Sequence, residues 1–258
     1  MKQWVTLLKK EMLELARNFK WVWVPLTFIL IAVKEPLTLY YLPQIIDSIG
    51  GLPEGAVIEL PVPSAGEALA AALSQYNTLG VLIIVFIAMG TIAGERKSGV
   101  AGLILVKPVS YTGFVTAKWA SLMILIWLSY FLGYFLSWYY VGVLFEFIPF
   151  SDFLQSFFVY GIWLTLIITI VILFNTFIKS PGAVGFFTIG AIVILTLVSN
   201  SLSHVLEWSP ALLFAYTNSF VIGGHFPDEL LPSIIVSVII IIFSMFASIA
   251  IFKRRELA

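Results

Sequence analysis

Six long apolar runs dominate the chain, and each is long enough to cross a bilayer. A membrane-spanning helix needs about 20 consecutive apolar residues. Leu, Ile, Val and Phe fill the runs, without the polar face that a buried helix of a soluble protein shows. The predicted spans are residues 21–41, 76–93, 119–144, 153–178, 183–202 and 231–252. The pattern predicts an all-α membrane protein, with six transmembrane helices in a single domain over residues 1–258.

Composition supports the same class and excludes several kinds of site. The chain is 60% hydrophobic and 11% charged, whereas soluble domains carry about 25% charged residues. It has no cysteine, so disulfides and thiolate metal sites are excluded. His204 with Glu207, and His225 with Asp228, lie in a predicted loop and lack the fixed helical spacing of a zinc hydrolase. We therefore predict no metal site, and we expect no nucleic-acid partner.

Charges divide strongly between the two sides of the predicted spans. If the N-terminus is inside, every Lys and Arg except Lys34 falls on the inner side, which is 13 of 14. The charged residues of the predicted outer loops are all acidic: Asp47, Glu54, Glu59, Glu67, Glu146, Asp152, Glu207, Asp228 and Glu229. Because positive charge marks cytoplasmic loops, we predict both termini to be cytoplasmic, in the cell membrane of a prokaryote.

The first 20 residues are predicted to form an amphipathic helix. Apolar residues recur at spacings of three and four, at Trp4, Leu8, Met12, Leu15 and Phe19. The charge throughout this segment, with no small-residue cleavage site after the first apolar run, argues against a cleaved signal. A helix of this kind lies in the membrane interface with basic residues toward anionic lipid headgroups. The alternative is a solvated leader with chance periodicity.

Two outer loops are predicted. Residues 42–75 are rich in Pro and Gly and read as an extended, turn-rich segment, with a short helix over Glu67 to Leu73. Residues 204–230 are unusually apolar for a loop, so we expect them to return to the membrane surface or to cap the bundle.

A charged, glycine-punctuated segment at residues 94–110 separates the second and third spans. It reads Gly-Glu-Arg-Lys-Ser-Gly, then an apolar stretch, then Lys-Pro-Val-Ser. Together with the amphipathic N-terminal helix and the order of spans, it resembles the permease subunit of an ATP-binding-cassette (ABC) transporter of the type-2 exporter class. That family carries a Glu–basic–x–x–Gly segment here, matched by Glu95, Arg96 and Gly99, followed by Pro-Val/Leu-Ser, matched from Pro108.

The resemblance implies a division of labour between chains. Residues 94–110 would form a coupling helix that docks on a separate ATPase subunit, with residues 1–20 beside it as an elbow. The candidate coupling residues are Glu95, Arg96, Lys97, Ser98, Gly99 and Pro108. No Gly-x-x-x-x-Gly-Lys-Ser/Thr string occurs, so the partner would bind ATP and Mg, and this chain is expected to hold no cofactor and to be no enzyme. A second permease copy or a related permease would complete the translocation path.

Polar residues within the spans give weaker candidates. Lys34 and Glu35 lie in the outer half of the first span and are candidate gating groups, because charges within a membrane are often functional. Adjacent helix positions do not face one another, so they are not expected to pair well, and both could instead reach the outer interface. Candidate path-lining residues in the fifth span are Thr188, Thr196, Ser199 and Asn200, with local packing as the alternative.

The sequence of the third span predicts a face that packs closely against another helix. Ser129, Gly133 and Ser137 recur every fourth residue, which is typical of closely packed membrane helices. Trp127, Tyr130, Tyr134 and Trp138 form a neighbouring aromatic stripe, read either as bulk packing or as a wall for an apolar substrate.

Two other function classes are weighed against export. An ion-coupled carrier or channel would need charges on span faces, and Lys34 and Glu35 are the available pair. An intramembrane enzyme would need convergent His, Asp, Glu or Ser-Lys groups within spans, which the sequence lacks. An ABC permease with an unidentified, amphipathic cargo is favoured.

Topology can be tested by labelling, because the chain contains no cysteine. Ser64→Cys should react with an impermeant thiol reagent applied to intact cells, whereas Ser98→Cys should be spared. Permeabilised cells serve as the control, since both positions should then react. Labelling of position 98 alone in intact cells would reverse the predicted orientation.

Overall fold

The structure is a computed structural model that describes residues 2–49, 63–100, 102 and 109–256. Within these residues it is helical, without a strand. The helices of the first half are α1 (Lys2–Arg17), α2 (Lys20–Ile49), α3 (Ala65–Gln75), α4 (Val81–Ala88) and α5 (Ala93–Lys97). Those of the second half are α6 (Tyr111–Leu144), α7 (Phe150–Phe177), α8 (Pro181–Ser201), α9 (Leu212–Gly223) and α10 (Leu230–Glu256). A π-helical turn, Tyr76–Gly80, joins α3 to α4.

Six helical stretches are long and apolar enough to cross a membrane, as predicted. They are Lys20–Ile46, Ala65–Lys97, Tyr111–Leu144, Phe150–Phe177, Pro181–Ser201 and Leu230–Arg254. The fold is therefore all-helical with six candidate membrane spans, and the amphipathic α1 precedes the first. Because six spans separate them, α1 and the C-terminal end of α10 lie at the same end of the bundle, which we call the basal end. The opposite end is the distal end.

The distal loops differ from the prediction. Residues 42–75 were expected to be turn-rich with a short helix over Glu67 to Leu73. That helix is confirmed as α3, but α2 continues to Ile49, and residues 50–62 lie outside the described part of the chain. The start of α3 is fixed by a capping box, in which Glu67 N donates to Ser64 Oγ at 3.2 Å and Ser64 N donates to Glu67 Oε2 at 2.7 Å. Prolines misled the prediction, because α2 contains three of them within its helix.

The second predicted loop also contains a helix. Over residues 204–230, α9 packs against α3 and α7 and buries Leu213 and Phe220. A Cβ on Gly66 of α3 would lie 2.5 Å from the Val221 carbonyl oxygen, so the two helices touch through backbone. Gly224, with φ of 77°, ends α9 in the left-handed conformation. The segment thus closes onto the distal part of the bundle.

The predicted packing face of the third span is confirmed at its contact with span 1. A Cβ on Gly133 would lie 2.6 Å from the Phe28 carbonyl oxygen and would also meet the Tyr76 hydroxyl. That hydroxyl donates to the same carbonyl at 2.9 Å. Tyr130 and Tyr134 of the aromatic stripe are fully buried beside these residues, so this part of the stripe is core packing.

Gly133→Ala should destabilise the protein, although an alanine usually stabilises a helix relative to glycine by about 0.5–1 kcal/mol. Overpacking against the Phe28 backbone is expected to cost roughly 1–3 kcal/mol. Gly190→Ala is the matched control, because a Cβ there meets nothing within 4 Å. Thermal unfolding in detergent measures both, and equal melting temperatures for the two variants would contradict the close approach.

Candidate functional site

Span 2 is interrupted just before the basal end, between α4 and α5. Residues 89–92 form turns there, which leaves backbone groups of the helix ends without their usual partners. Asn175 of α7 supplies those partners: its Oδ1 accepts from Ile92 N at 3.1 Å and from Ala93 N at 3.0 Å. Its Nδ2 donates to the carbonyls of Ala88 and Val171, at 3.1 and 2.9 Å. Because an unpaired backbone group away from water is costly, this buried amide makes the interruption tolerable.

The short helix α5 is attached to the rest of the protein by two charged side chains. The Glu95 carboxylate bonds Lys10 of α1 through Oε1, and its Oε2 lies 2.9 Å from Lys118 Nζ of α6. Arg96 donates from Nη1 to the Thr176 carbonyl at the end of α7, at 2.9 Å. Consequently α5 is tied to three other helices, each from a different part of the sequence.

Lys118 is the most buried of the charged side chains at the basal end. It is 1% exposed, and its ammonium group donates to Glu11 Oε1 of α1 at 2.9 Å while contacting Glu95. Glu11 is itself only 8% exposed and also accepts from Lys10 at 2.9 Å. Glu14 reaches Lys10 at 3.1 Å. We call Lys10, Glu11, Glu14, Glu95 and Lys118 the basal ion cluster.

The surroundings of the cluster favour the charged forms of Lys10 and Glu14. Burial lowers the pKa of Lys10, but the hydrogen bond with Glu95 and the contacts with Glu11 outweigh it, so the pKa ends above its ordinary value. Burial raises the pKa of Glu14, but the bond and the charge of Lys10 reverse this and leave the pKa lowered. Both residues are therefore charged near neutral pH.

A cavity of about 200 Å³ adjoins the cluster. Glu11, Glu14, Lys20, Gly90 and Pro181 are among its lining residues, and Lys20 donates to the Ile87 carbonyl at 3.1 Å. Carboxylate oxygens of Glu11, Glu14 and Glu95 lie within 4.8 Å of one another, a spacing that suits a cation. Lysine ammonium groups already contact all three carboxylates, so the arrangement favours an ion-pair cluster over a metal site.

The candidate coupling residues fall into two groups. Glu95 and Arg96 point toward the protein's own helices, whereas Lys97, Ser98 and Gly99 are exposed. Gly99 has φ of 79°, the left-handed conformation that commonly follows the end of a helix. Val100 is exposed too, and Pro108 lies outside the described residues. We call residues 97–100 the basal tip.

Lys34 and Glu35 form a contact that the prediction did not anticipate. Lys34 Nζ lies 3.1 Å from Glu35 Oε1, although adjacent helix positions were expected to pair poorly. The long lysine side chain can bend back along the helix surface, which the position of the Cα atoms alone does not reveal. Glu35 is 14% exposed and Lys34 is 59% exposed, so the lysine reaches away from the packed face.

The structure does not gather the candidate path residues of α8 into one surface. Thr188 is buried and donates to the Val184 carbonyl of its own helix at 2.8 Å, and Ser199 is buried against Ser209. Asn200 is exposed. Thr196 lines a groove of about 270 Å³ between α8 and span 2, and is the one of the four candidates that does so.

Sequence analysis missed the residues that organise this site. Glu11 lies within the apolar stripe of α1, three residues after Leu8 and four before Leu15, and such a carboxylate signals a buried partner. In the sequence, Lys118 served only as one of the basic residues that indicate which side of the membrane is cytoplasmic. Asn175 is a strongly polar residue inside an apolar run, which in a membrane span indicates a specific hydrogen-bonding role.

Comparison with known proteins agrees with this architecture. The family described as "Protein of unknown function (DUF2705)" matches residues 57–258. The chain belongs to this family. The "Uncharacterized transmembrane protein YxlG" of Bacillus subtilis (strain 168) is 33% identical over 256 residues, which covers 99% of each chain. Its similarity also includes α1 and span 1, which lie before the family match. With six candidate spans, the protein is a multi-pass membrane protein.

Removal of Lys118 should leave the carboxylates of Glu11 and Glu95 with only the more exposed Lys10 as a shared partner, and therefore under-compensated at their buried side. Lys118→Met is expected to lower the free energy of unfolding by about 3–5 kcal/mol. Lys97→Met, an exposed position on α5, should change it by less than about 0.5 kcal/mol. Adding Glu11→Gln and Glu95→Gln to Lys118→Met should recover part of the lost free energy of unfolding, because the two buried negative charges are then removed. Denaturant unfolding in mixed micelles measures the series, and wild-type stability of Lys118→Met would contradict the burial of this cluster.

Proposed function

We propose that this protein is the membrane-spanning permease subunit of an ABC transporter, working with a separate ATPase subunit to export an unidentified, amphipathic substrate. The observation that carries the proposal is the construction around α5. A short helix at the basal end of span 2 is bound to α1, α6 and α7, while its last residue and the three that follow it are exposed as the basal tip.

Such a construction suits the transmission of force from a partner. An ATPase on another chain can act on the spans only through contact, and something stiff must carry its motion inward. A loop with solvated charges would absorb that motion. Here Glu95 connects the segment to α1 and α6, and Arg96 connects it to α7, so displacement of the basal tip is passed to several helices together.

The proposal assigns the charged residues different tasks. The sequence placed Glu95 and Arg96 at the ATPase surface, but their side chains are engaged within the chain. We therefore infer that these two residues hold α5 in position, and that Lys97, Ser98 and Val100 are the groups that contact the ATPase. The basal end is then cytoplasmic, in agreement with the excess of Lys and Arg on that side.

The remaining components of the proposal follow from the resemblance to ABC permeases. The chain contains no phosphate-binding loop of its own, so ATP and Mg belong to the ATPase. A second permease copy, or a related permease, completes the path. The groove at Thr196, between α8 and span 2, is a candidate for part of that path, and Lys34 with Glu35 remains a candidate for gating at the distal side.

The roles of the basal tip and of Glu95 can be tested separately by mutation. Lys97→Asp combined with Val100→Asp should weaken co-purification of the P-loop ATPase that the proposal requires of the wild type by at least roughly tenfold, because an interface loses a basic and an apolar contact. The melting temperature of the permease should stay unchanged, since both residues are exposed. Glu95→Ala should instead retain the ATPase while losing substrate-stimulated hydrolysis.

Lys179→Asp is the matched control for the tip variant, because it reverses an exposed basic residue between α7 and α8. It should preserve ATPase binding. Normal ATPase association and hydrolysis in both the tip variant and Glu95→Ala would contradict coupling through this segment. Transport by the permease alone, without any ATPase, would favour the ion-coupled carrier instead.

A further inference from the structure

An apolar groove of about 440 Å³ lies on the outside of the bundle between α6 and α10. Its walls include Trp119 and Ala120 from α6, and Met245, Phe246 and Ile249 from α10. This volume is within the roughly 300–1,000 Å³ that small-molecule sites occupy. Phe246 is 70% exposed, so a large apolar surface in this groove is left uncovered by the residues that the structure describes.

At its basal end the groove is bordered by α1. Trp4 lines it, and its indole Nε1 donates to Thr116 Oγ1 at 3.0 Å. Thr116 in turn donates to the Thr112 carbonyl at 2.7 Å. The polar atoms at this position therefore bond one another, and the surface that they leave toward the groove is apolar. An occupant with polar groups along its length would find no partners here.

A basic rim lies directly beyond the groove. Lys253 follows Ile249 by four residues on α10 and so continues the same helix face, and it is exposed, as is Arg254. Phe252 stacks on Phe114 of α6 with ring centroids 5.1 Å apart, which holds this end of α10 against the start of α6. An apolar channel between two membrane spans thus ends at fixed positive charge near the membrane interface.

We propose that this groove binds one acyl chain of an anionic phospholipid, with the headgroup at Lys253. The apolar walls match a hydrocarbon chain, and the basic rim matches a negative headgroup, so the two halves of the site fit the two halves of one lipid. The site also involves α1: a lipid here contacts Trp4, which ties the N-terminal helix to the bilayer. This binding does not depend on the proposed permease role.

The rim argues for a lipid over a second copy of the chain as occupant. Two copies meeting at this face would bring their Lys253 and Arg254 side chains toward one interface, where like charges repel. An anionic headgroup at the same rim gains about 1 kcal/mol per basic residue near the surface. That gain corresponds to roughly a fivefold preference for an anionic over a zwitterionic lipid for each lysine.

The test uses the full-length protein purified in detergent with an equimolar mixture of phosphatidylglycerol and phosphatidylcholine. Native mass spectrometry should show one retained phosphatidylglycerol in the wild type. Ala120→Trp fills the groove and should abolish retention. Ala250→Trp is the matched control, because Ala250 is exposed on α10 and does not line the groove; it should retain the lipid. Lys253→Gln should retain a lipid but reduce the preference for phosphatidylglycerol by roughly fivefold.

Several results would overturn the proposal. Equal retention of the two lipids by the wild type would remove the headgroup assignment, and this measurement needs no folded variant. Full retention by Ala120→Trp would place the lipid elsewhere. A wild-type dimer that Ala120→Trp converts to monomer, with lipid retention unchanged, would identify a second copy as the occupant.

Discussion

The basal end of the protein depends on one buried cation shared by two carboxylates. Lys118 lies in α6, Glu11 in α1 and Glu95 in α5, so a single ammonium group connects three helices that are far apart in sequence. Each of these ions would be unfavourable at such burial without an oppositely charged partner, because the loss of its hydration would not be compensated. Together they stabilise one another, and the ion cluster therefore specifies the mutual positions of α1, α5 and α6 more sharply than apolar packing alone.

A second buried polar side chain explains how span 2 can be interrupted. A membrane helix normally satisfies its own backbone, so turns at residues 89–92 need outside donors and acceptors. Asn175 provides both kinds from one side chain: it accepts two bonds from span 2 and donates one to it, while its second donated bond goes to Val171 of its own helix. The turns separate α5 from α4, and α5 carries the Glu95 that contacts Lys10 and Lys118. Hydrogen-bond satisfaction at the interruption and the ion pairs of α5 thus occur side by side at the basal end.

Sequence pattern predicted the elements that arise from long periodic runs, and it failed where the outcome depends on distant partners. Six spans and the amphipathic α1 followed from hydropathy and periodicity alone. The short helix near residues 67–73 and the capping by residues 204–230 were also predicted, whereas the continuation of α2 beyond residue 41 was not, because Pro43 signals a turn locally but lies inside a long apolar helix. The pairing of Glu11 with Lys118 spans 107 positions, and no local rule connects such residues. Even so, a carboxylate within the apolar stripe of α1 was a visible anomaly, and its partner had to be a buried cation.

The division of residues 95–100 into an inward and an outward part has a mechanical consequence. Glu95 and Arg96 are held by α1, α6 and α7, while Lys97, Ser98, Gly99 and Val100 are exposed. A force applied at residues 97–100 therefore has little flexible chain in which to dissipate. It either moves the attached helices together or separates charges that are nearly excluded from water. Because separation leaves uncompensated buried ions, concerted movement is the lower-energy response, and the ion cluster makes the basal end behave as one body.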